Sequence, residues 1–193
     1  MRGVTAKQKF RTSNRKELGT FANFSPIIHG TARIRFPCQF TDAQNVLLEV
    51  LKELNGHEEP RILSIADTEG EVVGRMGFEI GVGEGNYFIY LDEETAADLT
   101  ALLKSRRRPR PLDFLLILTY HYKKEGRNMP LKFDYHQLRF LFGQNVFDVT
   151  LYHVKGIRRV PLDELLMIFL NRFDQKLQKL RLGPAKIEHI RTA

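Results

Sequence analysis

The sequence predicts an α+β fold: antiparallel β-sheet segments covered on one face by α-helices, with a long C-terminal helix. Three observations predict it. Residues 26–36 and the two runs flanking Gly143-Gln144-Asn145 alternate apolar and polar side chains, the period of a strand. Residues 42–55 and 161–182 carry apolar stripes at helical spacing. Between 61 and 91, short β-prone segments are separated by glycine-rich turns.

Residues 1–22 are polar and basic without a hydrophobic period, and read as a flexible basic arm. A single compact domain follows over 23–182, with the basic, proline-bearing stretch 105–111 dividing it into sub-halves 23–105 and 112–182. Residues 183–193 read as a basic tail. Within the domain, PIIHGTARIRF is a half-exposed strand with Arg33 and Arg35 on one face, closed by Pro37. Thr41 is the expected N-cap of a helix whose stripe is Val46, Leu47, Val50, Leu51 and Leu54 and which Gly56 ends. Strands are expected over 61–66, 71–80 and 86–91, with turns at 67–70 and at Gly81-Val82-Gly83-Glu84-Gly85. Asp92, Glu93 and Glu94 suit the positive end of the next helix. The run DFLLILTYHYKKEG is ambiguous between a buried strand and a helix, and its length and KKEGR ending favour a helix. LKFDYHQLRFLF and VFDVTLYHVKGIRRV form a hairpin. Pro161 sits where a final helix begins, and Gly183-Pro184 ends it.

Charge narrows the function classes. The chain carries a net charge of +7. Residues 1–22 hold six Lys/Arg and one acid, residues 171–193 hold six and two, and the middle is nearly balanced. Excess cations at both ends suit a polyanion. No apolar run is long enough for a membrane span, and the N-terminus lacks a secretory signal's apolar stretch. One cysteine, Cys38, excludes an internal disulfide framework and a cysteine-based zinc site, and a cytoplasmic location is the default.

Three Tyr-His pairs, at 120–121, 135–136 and 152–153, are the one unusual motif. If facing residues in the hairpin sum to 288, Tyr135 opposes His153; a sum of 289 sets His136 opposite His153. Either register gathers imidazoles and phenols, but no His-x-His or His-x3-His spacing supports a metal, and an acid–base role for His136 or His153 needs an orienting partner and a pocket. Tyrosine favours strands, so the pairs read first as architecture. The glycines at 81–85 lack the Lys-Ser/Thr of a phosphate loop, and hydrolase signatures are absent. No cofactor is expected.

The favoured expectation is a non-catalytic nucleic-acid-binding protein, with single-stranded DNA or RNA preferred. In it Arg33, Arg35, Arg139, Arg158 and Arg159 meet phosphates, Tyr135 and Tyr152 stack bases, and Arg106, Arg107 and Arg108 add a basic patch. The first alternative is an assembly or interaction subunit, a homodimer through the seam Leu166, Phe169, Phe173, Leu177 and Leu180. The second is an enzyme, metal- or histidine-dependent, using His121, His136 and His153.

Overall fold

The computed structural model describes residues 15–65, 71–105 and 110–193. Strand β1 (Glu17–Thr20) is followed by β2 (Gly30–Arg35), helix α1 (Phe40–Leu54), β3 (Glu58–Ser64), β4 (Glu71–Glu84), β5 (Tyr87–Tyr90), helix α2 (Glu93–Lys104), β6 (Leu112–Lys124), β7 (Arg127–Phe142), β8 (Val146–Lys155), helix α3 (Leu162–Lys179) and β9 (Lys186–Thr192). The strands form one antiparallel sheet in the order β1-β5-β4-β6-β7-β8-β2-β9, and β3 pairs with the first half of β4. The α+β expectation holds, with helices on one face.

The helix-side core follows from alternation. Met76, Phe78 and Ile80 of β4, Phe114, Leu116 and Leu118 of β6, Leu138 and Phe140 of β7, and Phe147, Val149 and Leu151 of β8 pack with buried residues of all three helices in one cluster. Because β4 lies beside β6, this core runs through both expected sub-halves.

Several elements differ from the sequence reading. The run from Leu112 to Lys124 is strand β6, not a helix. Its continuous apolar character comes from burial on both faces, since Leu115 and Ile117 form a second cluster with Phe88 on the side away from the helices. The hairpin tip is Glu125-Gly126, both with positive φ (51° and 76°), the conformation of a two-residue turn that matches strand twist. Residues 81–84, read as a turn, continue β4, and the reversal comes at Gly85. Residues 186–192, read as tail, form edge strand β9 against β2. Helix α1 begins at Phe40 with Gln39 as N-cap, so Thr41 lies inside it. Arg106, Arg107 and Arg108 lie outside the described residues.

The seam of α3 is also corrected. Leu166, Phe169, Phe173 and Leu177 are buried in the chain's own core, leaving only Leu180 of that set exposed. A stripe consumed by the sheet cannot also serve a second copy. Phe173 meets Phe147 edge-on at 4.9 Å and Phe36 at 6.5 Å.

Candidate nucleic-acid interface

The face of the sheet opposite the helices is crossed by the chain itself. After β1, residues 21–29 run as a strap from the β5 edge over β4, β6, β7 and β8 and enter β2. Phe21 lies 4.7 Å from the Phe88 ring. The Phe24 ring sits 4.7 Å from the Arg139 guanidinium. The Ser25 N–H donates to Gln137 Oε1 at 3.3 Å, and His29 stacks on Tyr152 with centroids 5.1 Å apart. Glycine makes this approach possible: a Cβ on Gly81 would lie 3.0 Å from Leu18, and one on Gly83 would lie 3.1 Å from the Phe21 ring. Arg15, before β1, is clasped by Asp98, Glu94 and Glu84.

The strap divides the open face into two zones, and the expected site residues fall unequally between them. On the side toward β9, Arg33 is paired through two hydrogen bonds with Asp148 (2.6 and 2.7 Å), and Arg35 pairs with Glu188. Under the strap, Arg139 grips Asp113 at 2.6 and 2.8 Å, and Tyr152 is capped by His29. These arginines are half of neutral pairs, and a phosphate would have to compete with a carboxylate for each.

The other zone, at the β6–β7 turn, is different. Tyr135 lies 6.5 Å from Phe133, with the Lys155 ammonium 4.3 Å from the Tyr135 ring centroid. Phe133 is 41% exposed. A bulge between Tyr135 and His136 sets Tyr135 opposite Lys155. Exposed Lys132 precedes Phe133 and exposed Lys123 shares the open face with His121, whereas exposed Lys124 and its partner Arg127 alternate onto the helix side and exposed Arg158 lies beyond β8. Among the described residues, none of these five cations forms an ion pair. Toward β3, the directly paired Ile62 and Val73 are 63% and 78% exposed. A shallow depression there is lined by Pro60, Val73, Arg75, His121 and Lys123 among others.

The loop carrying Arg158 and Arg159 is fixed from below by a buried carboxylate. Asp134 accepts backbone N–H groups from Ile157 (2.5 Å), Arg158 (3.0 Å) and Arg159 (2.9 Å), and the Tyr120 hydroxyl at 2.8 Å. Burial pushes the Asp134 carboxyl up, but these four donors outweigh burial and hold it below the usual carboxylate range. Burial, with the carboxylate beside it, drives the Tyr120 phenol well up. The side chain of Arg159 turns inward, donating to the Ser64 carbonyl at 2.9 Å with its guanidinium 5.8 Å from the Tyr120 ring. Arg158 projects its side chain outward.

The histidines split in the same way. The hairpin takes the 289 register, so His136 faces His153 with ring centroids 5.0 Å apart on the helix side. Burial and the neighbouring His153 depress His136 to about 4, and burial also lowers His153. His121 lies on the opposite face, its Nε2 3.8 Å from Glu58. The three histidines therefore do not converge, and among the described residues no three His, Cys, Asp or Glu side chains could hold one metal ion.

Sequence reasoning missed Lys123, Lys124 and Arg127 because KKEGR was read as a helix end, and Lys132 and Lys155 because the bulges beside them are not legible in the strand pattern. The Glu-Gly dipeptide between two basic, β-prone runs was the available signal. No known protein family, curated protein or solved structure matches the chain.

Proposed function

We propose that the zone around Phe133 and Tyr135 binds single-stranded nucleic acid without catalysis. One observation carries this reading: two neighbouring rings, Phe133 exposed and Tyr135 part-exposed, lie beside Lys155 and Lys132, which no carboxylate of the described residues neutralises. Bases of a single strand stack on such rings, each stack being worth about 1–3 kcal/mol, and the cations follow the phosphates. Lys132 and Lys155 flank the rings, and Lys123 adds a cation on the open face toward the β6–β7 turn. The reading shifts the phosphate-binding role from Arg33, Arg35 and Arg139, whose carboxylate partners stabilise the sheet face, to lysines that keep their charge available. Fluorescence anisotropy with a labelled oligothymidylate at low salt tests it. The charge reversals Lys132→Glu and Lys155→Glu together weaken binding at least about tenfold if the zone is the site; unchanged affinity removes it.

A second reading, an assembly subunit, is favoured by Ile62 and Val73. Paired apolar side chains this exposed on an edge strand are the kind of surface that partners cover. Concentration-dependent molar mass of the wild type, lost on Ile62→Lys, supports it; a monomer at all concentrations counts against self-assembly through this edge.

A further inference from the structure

We infer that residues 22–28 of the strap are a built-in competitor, standing in the middle of the open face where a longer nucleic-acid strand would lie. The inference rests on the nucleic-acid reading above and concerns the regulation of that site.

One ring of the movable span, Phe24, occupies a stacking position, and His29 at its pinned end holds a second. The Arg139–Asp113 pair uses the edge of the guanidinium and leaves its plane free, and Phe24 covers that plane at 4.7 Å. His29 lies over Tyr152 with planes only 18° apart. Between them, the Ser25 N–H meets the side-chain carbonyl of Gln137, a group suited to a base edge. Ring, polar contact and ring succeed one another across β7 and β8, beside the exposed Tyr135 zone. A bound strand leaving Tyr135 toward β2 would need the positions of Phe24 and Ser25, while His29, whose Nδ1 accepts the His153 N–H at 2.9 Å, stays over Tyr152.

The strap is built to bow outward without leaving. Its ends are pinned by main chain: the Phe21 N–H donates to the Asn86 carbonyl at 2.7 Å and the His29 N–H to the Leu151 carbonyl at 2.9 Å. Arg15 and β1 hold one side and β2 holds the other. Between those pins, residues 22–28 make no backbone–backbone hydrogen bond among the described residues. Ala22, Asn23, Pro26, Ile27 and Ile28 are exposed. Lifting this span breaks side-chain contacts while Leu18 and Phe21 keep covering Phe88, Leu115 and Ile117. Few buried contacts and little backbone pairing place it at the low-stability end of the fold.

The test uses the full chain and two oligothymidylates, about four and about twenty nucleotides long. Ser25→Cys with Gln137→Cys, on a Cys38→Ser background, locks the strap when oxidised and frees it when reduced. The expected result is binding of the long strand weakened about fivefold or more in the oxidised form and restored on reduction, with the short strand unaffected. Phe24→Ala is the independent check, and tightens the long strand by a similar factor. Equal long-strand affinity in both redox states, or weaker binding by Phe24→Ala, overturns the competitor while leaving the nucleic-acid reading in place. Absence of binding to either oligonucleotide by the wild type and every variant overturns both.

Discussion

Asp134 and Tyr120 meet at 2.8 Å in the interior, the phenol donating to the carboxylate across the β6–β7 pairing. That contact is one of four donors on Asp134, the other three being backbone N–H groups of the loop that follows β8. Tyr120→Phe removes one donor and leaves the other three in place, so a loss of about 1–2 kcal/mol is expected. Asp134→Ala strands the buried Tyr120 hydroxyl and three part-buried backbone donors together and costs more, about 3–5 kcal/mol. Gly156→Ala is also strongly destabilising, because its φ of +119° disfavours a side chain and a Cβ would run into Asp134. Urea denaturation midpoints of the three variants check the order; an Asp134→Ala loss no larger than that of Tyr120→Phe contradicts it.

Acid sensitivity follows from His136. Its folded value lies near 4 against an ordinary value of 6.5, so the unfolded chain binds the proton first as pH falls. The contribution is fully present above about pH 6.5 and is lost progressively as pH falls toward 4, a change of roughly 3 kcal/mol. Asp134, depressed in the fold, adds a further loss only at still lower pH, below the unfolded carboxylate value. His136→Leu removes the first loss, since neither ring nitrogen has a protein hydrogen-bond partner to forfeit among the described residues. Melting temperatures at pH 7 and pH 5 compare the two proteins: the gap between pH values narrows in the variant if burial of the neutral imidazole causes it.

The strap predicts a requirement for Gly83. Its backbone is not in the left-handed region, so substitution acts through space alone. Gly83→Val presses on the Phe21 ring and the Asp113 Cβ, each already within 3.3 Å of a Cβ at that position. A loss of about 1–3 kcal/mol is expected, with faster proteolytic cleavage in residues 21–28 than in the wild type. Unchanged cleavage there means that Phe21 does not hold the strap down.

Helix α3 separates packing from association. Phe173→Ala empties a fully buried ring site between Phe36 and Phe147 and is expected to cost about 3–5 kcal/mol. Leu180→Ser, at a residue 52% exposed, is expected to change stability by no more than about 0.5 kcal/mol. Thermal denaturation of the two variants checks this contrast, and comparable losses contradict the placement of the seam.

How much of this was legible in sequence depended on whether a residue's setting was local. The stripe of α1, the acids opening α2 and the alternation of β2, β7 and β8 declared themselves because one face of each meets the core. Strand β6 did not: Leu115 and Ile117 are buried by a segment some ninety residues earlier in the chain, so its pattern lost the alternation that marks a strand. The glycines at 81 and 83 resemble a turn for the same reason, since nothing nearby in sequence shows that Phe21 passes over them. Arg33 and Arg139 read as free cations because their partners, Asp148 and Asp113, are fixed by strand register. The Tyr-His pairs were visible as a motif, but which residues face them depends on bulges at Lys132–Phe133 and Val154 that no local pattern reveals.

The most direct test is a salt titration of wild-type binding to single-stranded and duplex oligonucleotides, repeated with Phe133→Ala and Tyr135→Ala combined. If about three cations neutralise phosphates, single-strand affinity falls with a logarithmic slope of roughly −2, and a single-strand preference persists at high salt until the two rings are removed. Equal affinity for both forms, unaltered by loss of the rings, or no binding at low salt, contradicts it.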